Sequence, residues 1–488
     1  MKKLSFDFNN MMDYNAGRHG IKAKELQAFA PNAALAFKHL ASILKDRKKR
    51  VALSLEWANL PFQDKSSIEA IQKLGKEIAG KYENVVSLGI GGSYLGIKAA
   101  QDALLPPYYN DFPALRKGCP RIFFEGNNLD PETLSSLFAN LNPKKTFIVV
   151  ISKSGETTET KAALELAEAW LKKGVGPKFA RQILAVTDPR SGTLRKKISA
   201  ASAKDPLAYR SLPLLEGVGG RFSELNMGLM HLAVTGVKIN EVLKGAAGMA
   251  KICDHGDMLK NPALLYAVLS VLEFQRKGKP LSILMPFSEQ LKSTADWYIQ
   301  LLAESTGKKY ARSVVSVDGL ERWVENKSRV INTGRTPIAA RGTNDLHSIQ
   351  QNNIEGRNDK VVTFIRVEKF RRDLQLPNGS DFLSGRKLSE LLKTAQEGTA
   401  WALTREKRPN CAIILPALNA YYWGALLFFF EMATAYEGEL LGINAFNQPG
   451  VESYKNYMFH KLKKPGISKA VAEEIEGNPV RKTRRYTL

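Results

Sequence analysis

Cysteine and histidine are scarce in this chain, with three and six among 488 residues. Cys119, Cys253 and Cys411 are odd in number and far apart, so neither a disulfide framework nor zinc-ligand spacing can be read from them. That usage fits a reducing compartment, and a cytoplasmic protein is expected. No stretch gathers histidines with carboxylates, so no metal and no organic cofactor are expected. Long apolar runs are also missing. The most apolar segment, YYWGALLFFFEMATA at 421–435, falls short of the roughly 20 residues a membrane-spanning helix needs and is interrupted by Glu431. It reads as a buried core helix, and no membrane association is expected. The N-terminus, MKKLSFDFNN, has two lysines with no apolar stretch behind them, which does not make a signal peptide. There is no internal repeat and no low-complexity linker. Acidic residues are few relative to basic ones, 48 against 71, for a net charge of +23. The excess is diffuse apart from KDRKKR at 45–50 and RKTRR at 481–485. No nucleic-acid-binding signature accompanies it, and nucleic acid is not expected as a partner. A positive field steers any anionic substrate without marking a site.

What is present is an α/β chain. Its length exceeds what one hydrophobic core usually serves, so two domains are expected. Short β-branched runs end in small-residue turns and pass into helical periodicity. Examples are NVVSL at 84–88, KTFIVVI at 145–151 and ILAVT at 183–187 in the first half, and LSILM at 281–285, KVVTFIRV at 360–367 and CAIIL at 411–415 in the second. This pattern predicts two tandem αβα sandwiches with parallel sheets, at 45–230 and 235–445. A helical arm (1–44) precedes them, and a C-terminal segment with a helical tail (446–488) follows.

Two turns carry the first chemical signal. GIGGSYLG at 89–96 lies where a strand passes into a helix. Glycines there let a backbone approach an anion that the helix N-terminus can hold. The third glycine of a dinucleotide fingerprint is missing, since Tyr94 stands in its place, and no Gly-Lys-Ser/Thr of a P-loop follows. SKSGETTET at 152–160 repeats the situation with hydroxyls at Ser152, Ser154, Thr157, Thr158 and Thr160. One of these is expected to be an ordinary N-cap; five exceed what capping requires. Both turns fall at carboxyl ends of strands, the edge at which open α/β sheets bind ligands. Gly92, Ser93, Ser152, Lys153, Ser154 and Thr157 are therefore candidate phosphate ligands.

These turns resemble the sugar isomerase (SIS) phosphosugar-binding domain. Four further segments are similar, in order, to one family within that class, glucose-6-phosphate isomerase: GVGGRFS (217–223), QLLAESTGK (300–308), GTNDLHSIQ (342–350) and FNQPGVESYK (446–455). The resemblance runs from about residue 84 to 455. It departs from the family at EGNNLD (125–130), Ser154 and Asn226, and none of these removes a catalytic group. It implies metal-free aldose–ketose isomerisation of a sugar phosphate through a cis-enediol intermediate. It further implies Glu304 as base, Arg221 as stabiliser of the enediolate, and His347 and Lys455 in ring opening. His347 would enter the site from the neighbouring subunit of a homodimer. Gln300 and Gln448 are implied as substrate ligands, with Glu159 a further candidate for sugar hydroxyls. A non-catalytic phosphosugar sensor is the alternative, needing the two loops alone.

Overall fold

The computed structural model describes residues 3–487, which fall into two compact units, residues 3–445 and 446–487 of those described. The larger unit holds two five-stranded sheets and a two-stranded hairpin. The first sheet is wholly parallel. Its strands, in spatial order, are Arg121–Glu125, Asn84–Leu88, Thr146–Ile151, Ile183–Thr187 and Arg210–Pro213. The middle strands are buried along their whole length, which explains why they read as continuous apolar runs rather than alternating ones. The chain leaves Asn84–Leu88 for one side of the sheet and returns on its other side at Thr146–Ile151. The turns after these two neighbouring strands therefore flank a topological switch point, where such sheets form a crevice.

The second sheet runs Ser5–Asp7, Asn410–Ala417, Lys360–Lys369, Leu281–Pro286 and Thr336–Ala339. All pair in parallel except the first, which adds antiparallel to the edge. Three of these strands match the expected runs within a few residues. The edge strands Ser5–Asp7 and Thr336–Ala339 do not show in the sequence, because three or four residues are too few to display a period.

The apolar run becomes the 22-residue helix Ala420–Leu441, buried from Tyr422 to Gly438. It packs against helices Ile239–Cys253 and Pro262–Lys277. No helix among the described residues is long and apolar enough to cross a membrane. The run lies inside the protein, packed among other helices. It ends at Gly442 in the left-handed region, φ 66°.

The hairpin Lys308–Val317/Leu320–Thr333 is absent from the sequence reading. A signal was available. Asp318-Gly319 joins the strands with both residues at positive φ, 51° and 72°, the preference of a two-residue hairpin turn. Its base is tied to the core helix by Arg312, whose guanidinium donates to both Glu439 carboxylate oxygens at 2.7 and 3.0 Å. His39 Nδ1 reaches the same carboxylate at 2.7 Å. The His39 pKa is raised, first by that hydrogen bond.

Candidate active site

Arg221 is where the elements converge. It sits in the 3-10 turn Gly220–Phe222, only 3% exposed. Burying a guanidinium requires partners on every side. Nε donates to Ser305 Oγ at 2.8 Å, Nη1 to Glu304 Oε2 at 3.1 Å, and Nη2 to Ala445 O at 2.6 Å. Burial depresses its pKa, and the Glu304 carboxylate opposes that; an arginine stays charged regardless.

Glu304 lies in the last turn of helix Lys292–Thr306, with its side chain 28% exposed. One turn earlier, Gln300 Nε2 donates to Glu304 Oε1 at 3.2 Å, the i,i+4 neighbour expected from the spacing. Arginine and amide thus hold one carboxylate oxygen each. Gln300 Oε1 is left buried without a hydrogen-bond donor among the described residues.

Lys308, which the sequence reading passed over, belongs to the same cluster. Its side chain is buried and Nζ donates to the Glu304 carbonyl. Burial, with the charge of Arg221 next, brings its pKa down to about 7. The signal was its place at the end of QLLAESTGK, indistinguishable there from any other lysine. Ser305 was missed likewise.

The first glycine turn is packed onto this cluster. A Cβ on Gly92 would stand 2.1 Å from Gly220 O and 2.8 Å from Arg221 N, and one on Gly91 would stand 3.0 Å from Gln300 Nε2. These glycines therefore let the turn lie against the arginine segment and the Glu304 helix. Ser93, half-buried, faces the Met227 sulfur at 3.9 Å.

In the second turn, Ser152 is buried and its hydroxyl accepts from Gly155 N at 3.0 Å, while Ser154 Oγ accepts from Glu156 N at 3.1 Å. Both shape the turn. Thr157 is the N-cap of helix Thr158–Val175, yet its side chain makes no capping bond. The ordinary capping role expected of one hydroxyl is thus not taken at the cap position, while Ser152 and Ser154 accept within the turn itself. Lys153 is exposed, and Glu159 is half-buried in the helix's first turn.

His347 ends the 3-10 turn Asn344–His347, exposed and without a hydrogen bond to any described residue. In the smaller unit, Gln448 is exposed and precedes the turn Pro449–Val451. Lys455 lies on helix Glu452–Lys461 and pairs with Glu452 at 2.9 Å. Among the described residues no group of three or more His, Cys, Asp and Glu side chains is arranged to hold a metal ion.

Comparison with known proteins covers nearly the whole chain. The family model described as phosphoglucose isomerase matches residues 62–474. A glucose-6-phosphate isomerase of Carboxydothermus hydrogenoformans is 37% identical over 99% of both chains. One from Caldanaerobacter subterraneus is 33% identical over 98% of this chain and 99% of its own. Among solved structures, a hypothetical protein from Thermus thermophilus superposes with a TM-score of 0.78 at 29% identity, covering 94% of this chain and all of that one. A glucose-6-phosphate isomerase of Chlamydia trachomatis shares the fold, with a TM-score of 0.72 at 22% identity over 94% of this chain and 90% of that one.

Proposed function

Because the chain belongs to the phosphoglucose isomerase family, we infer that it is an aldose–ketose isomerase interconverting D-glucose 6-phosphate and D-fructose 6-phosphate. The observation that carries the chemistry is the Glu304 carboxylate held between the buried Arg221 and Gln300. A sensor of phosphosugars would have no use for that arrangement.

In the reaction we propose, the Glu304 carboxylate takes the C2 proton of the open-chain aldose and returns it to C1. One base serves both half-reactions because the two carbons are adjacent in the cis-enediol. Negative charge then develops on the substrate oxygens, and Arg221, charged and already desolvated, stabilises it without competing for the proton. The unsatisfied Gln300 Oε1 accepts from a sugar hydroxyl. The phosphate lies in the crevice between the two turns. Gly92 and Ser93 serve it on one side, and Ser152, Lys153, Ser154 and Thr157 on the other, at the start of an 18-residue helix whose N-terminal amides favour an anion. Glu159 and Gln448 bind substrate hydroxyls. The assignment of the first domain, 45–230, to the sugar isomerase class rests on these turns.

His347 and Lys455 open the pyranose ring. His347 does so from the neighbouring subunit of a homodimer, a reading supported by its exposure and its lack of a hydrogen-bond partner among the described residues. The protein works in the cytoplasm.

The test is a coupled assay. Fructose 6-phosphate is supplied with a chelator, and glucose 6-phosphate is followed through an NADP-reducing dehydrogenase. Sustained turnover is expected; binding of the sugar phosphate without turnover would establish the sensor instead. Gly92→Ala is a second expectation. Its Cβ meets backbone atoms of Gly220 and Arg221 rather than a side chain that could swing away. The arginine must shift by a sizeable fraction of an ångström, and kcat is expected to fall by about 100-fold. Unchanged kcat would detach the glycine turn from the placement of Arg221.

A further inference from the structure

Three residues after Arg221, a second carboxyl lies deeper than Glu304 and has no part in the chemistry above. Glu224, 3% exposed, opens the short helix Glu224–Met227. Its Oε1 accepts from the indole Nε1 of Trp297 at 2.8 Å. Trp297 is fully buried on helix Lys292–Thr306, seven residues before Glu304 and so two turns away along the same face. The arginine segment and the Glu304 helix are thus joined by two rungs. One is Arg221 to Glu304 and Ser305; the other is Glu224 to Trp297. The first glycine turn is built around the second rung as well, since a Cβ on Gly96 would fall 2.0 Å from Glu224 Cγ.

The other oxygen, Oε2, is buried and has no well-formed hydrogen bond among the described residues, although the backbone amides of Glu224 and Ser223 lie beside the carboxyl. What stands against Glu224 is the carboxyl of Glu431, 2% exposed on helix Ala420–Leu441 and within hydrogen-bonding reach. Two carboxylates cannot face each other in a dry interior, whereas a carboxylic acid donating to a carboxylate can. Other ionisable groups on the packed elements are engaged elsewhere. Lys98 and Asp102 on helix Leu95–Leu104 pair with each other, Glu56 pairs with Arg50, and the buried His231 is bonded to Ser87. On the Glu304 helix, Trp297 is the residue that faces Glu224.

We propose that Glu224 and Glu431 share a proton and act together as positioning residues, clamping the Glu304 helix to the Arg221 segment in the register that catalysis uses. This deepens the isomerase reading and rests on it. The pKa of each carboxyl is raised, both by burial and Glu431 additionally by the charge of Glu224. The sign follows. The bridge is intact at low pH and is lost as pH rises through the raised value. Loss of the proton leaves two contacting negative charges, which drives the carboxyls apart and slackens the Trp297 rung.

The experiment compares kcat and KM against pH from 6 to 9.5 for the wild type, Glu224→Gln and Glu431→Gln, with infrared spectra of each at pH 7. In either variant an amide N–H replaces the shared proton and does not titrate. Wild-type kcat is expected to fall about tenfold per pH unit beyond the titration of the pair. That limb should move up by at least about one unit in both variants, with KM little changed. The carbonyl band of a protonated carboxyl should be present in the wild type and reduced in both variants. Profiles that superimpose on the wild type, or an unchanged infrared band, would overturn the proposal. Absence of turnover in the wild type itself would fault the isomerase reading, while the infrared band would still report on the shared proton.

Discussion

Glu304→Gln is expected to lower kcat for fructose 6-phosphate by about 10²- to 10⁴-fold, the range a positioned general base supplies, while leaving the protein folded. The structure separates these outcomes. The substitution is isosteric, and a glutamine at 304 can still accept from Arg221 or Gln300 through its carbonyl oxygen. Arg221 keeps its bonds to Ser305 Oγ and to the Ala445 carbonyl, so the buried cation is not abandoned. Binding should persist, because the proposed phosphate ligands lie on the two turns rather than on this side chain. What disappears is the group proposed to hold a proton between its removal from C2 and its return to C1. The decisive measurement is kcat by the coupled assay, with the thermal midpoint and fructose 6-phosphate binding as controls. Activity surviving within tenfold would remove Glu304 as the base and leave the reaction in need of another proton acceptor.

Arg335→Met is expected to have the largest effect on stability, about 3–5 kcal/mol, read from the urea midpoint and the thermal midpoint. Arg335 and Glu437 form a bidentate pair, Nε to Oε1 at 2.9 Å and Nη2 to Oε2 at 2.7 Å, with side chains only 3% and 2% exposed. The pair joins the start of strand Thr336–Ala339 to the buried helix Ala420–Leu441. Removing the guanidinium leaves a carboxylate in the interior with no counter-charge, and most of the loss is that stranded charge rather than the worth of the pair. The double variant Arg335→Met with Glu437→Leu should therefore recover most of the stability. If the single and double variants are equally unstable, packing rather than charge is what the pair provides.

Much of the architecture could be read from the residues because its cause is local. A strand buried on both faces must be apolar throughout, so NVVSL, TFIVVI and ILAVT declare themselves. A short strand at a sheet edge owes its state to the neighbour it pairs with, and Ser5–Asp7 is invisible until Asn410–Ala417 is in place. The hairpin turn at Asp318-Gly319 was legible, but the polar, irregular strands beside it hid the pairing. The motif around Glu304 singled out one glutamate among many through resemblance, since spacing alone could supply only its helical neighbour Gln300.

What the sequence by itself determined is the α/β class, the buried strands, the two turns after neighbouring strands and the family to which the motifs belong. These follow from periodicity, turn chemistry and residue identity at short range. Only the tertiary structure decided that Arg221 is buried and spans Glu304, Ser305 and Ala445, that Gly92 lies on Gly220, that Lys308 joins the cluster, and that Glu224 meets Glu431 from more than two hundred residues away. The physical reason is that charge in a protein is governed by desolvation and by what stands within a few ångströms. A glutamate at 224 or 431 is the same letter in the sequence as one on the surface; burial and a second carboxyl make each a different acid.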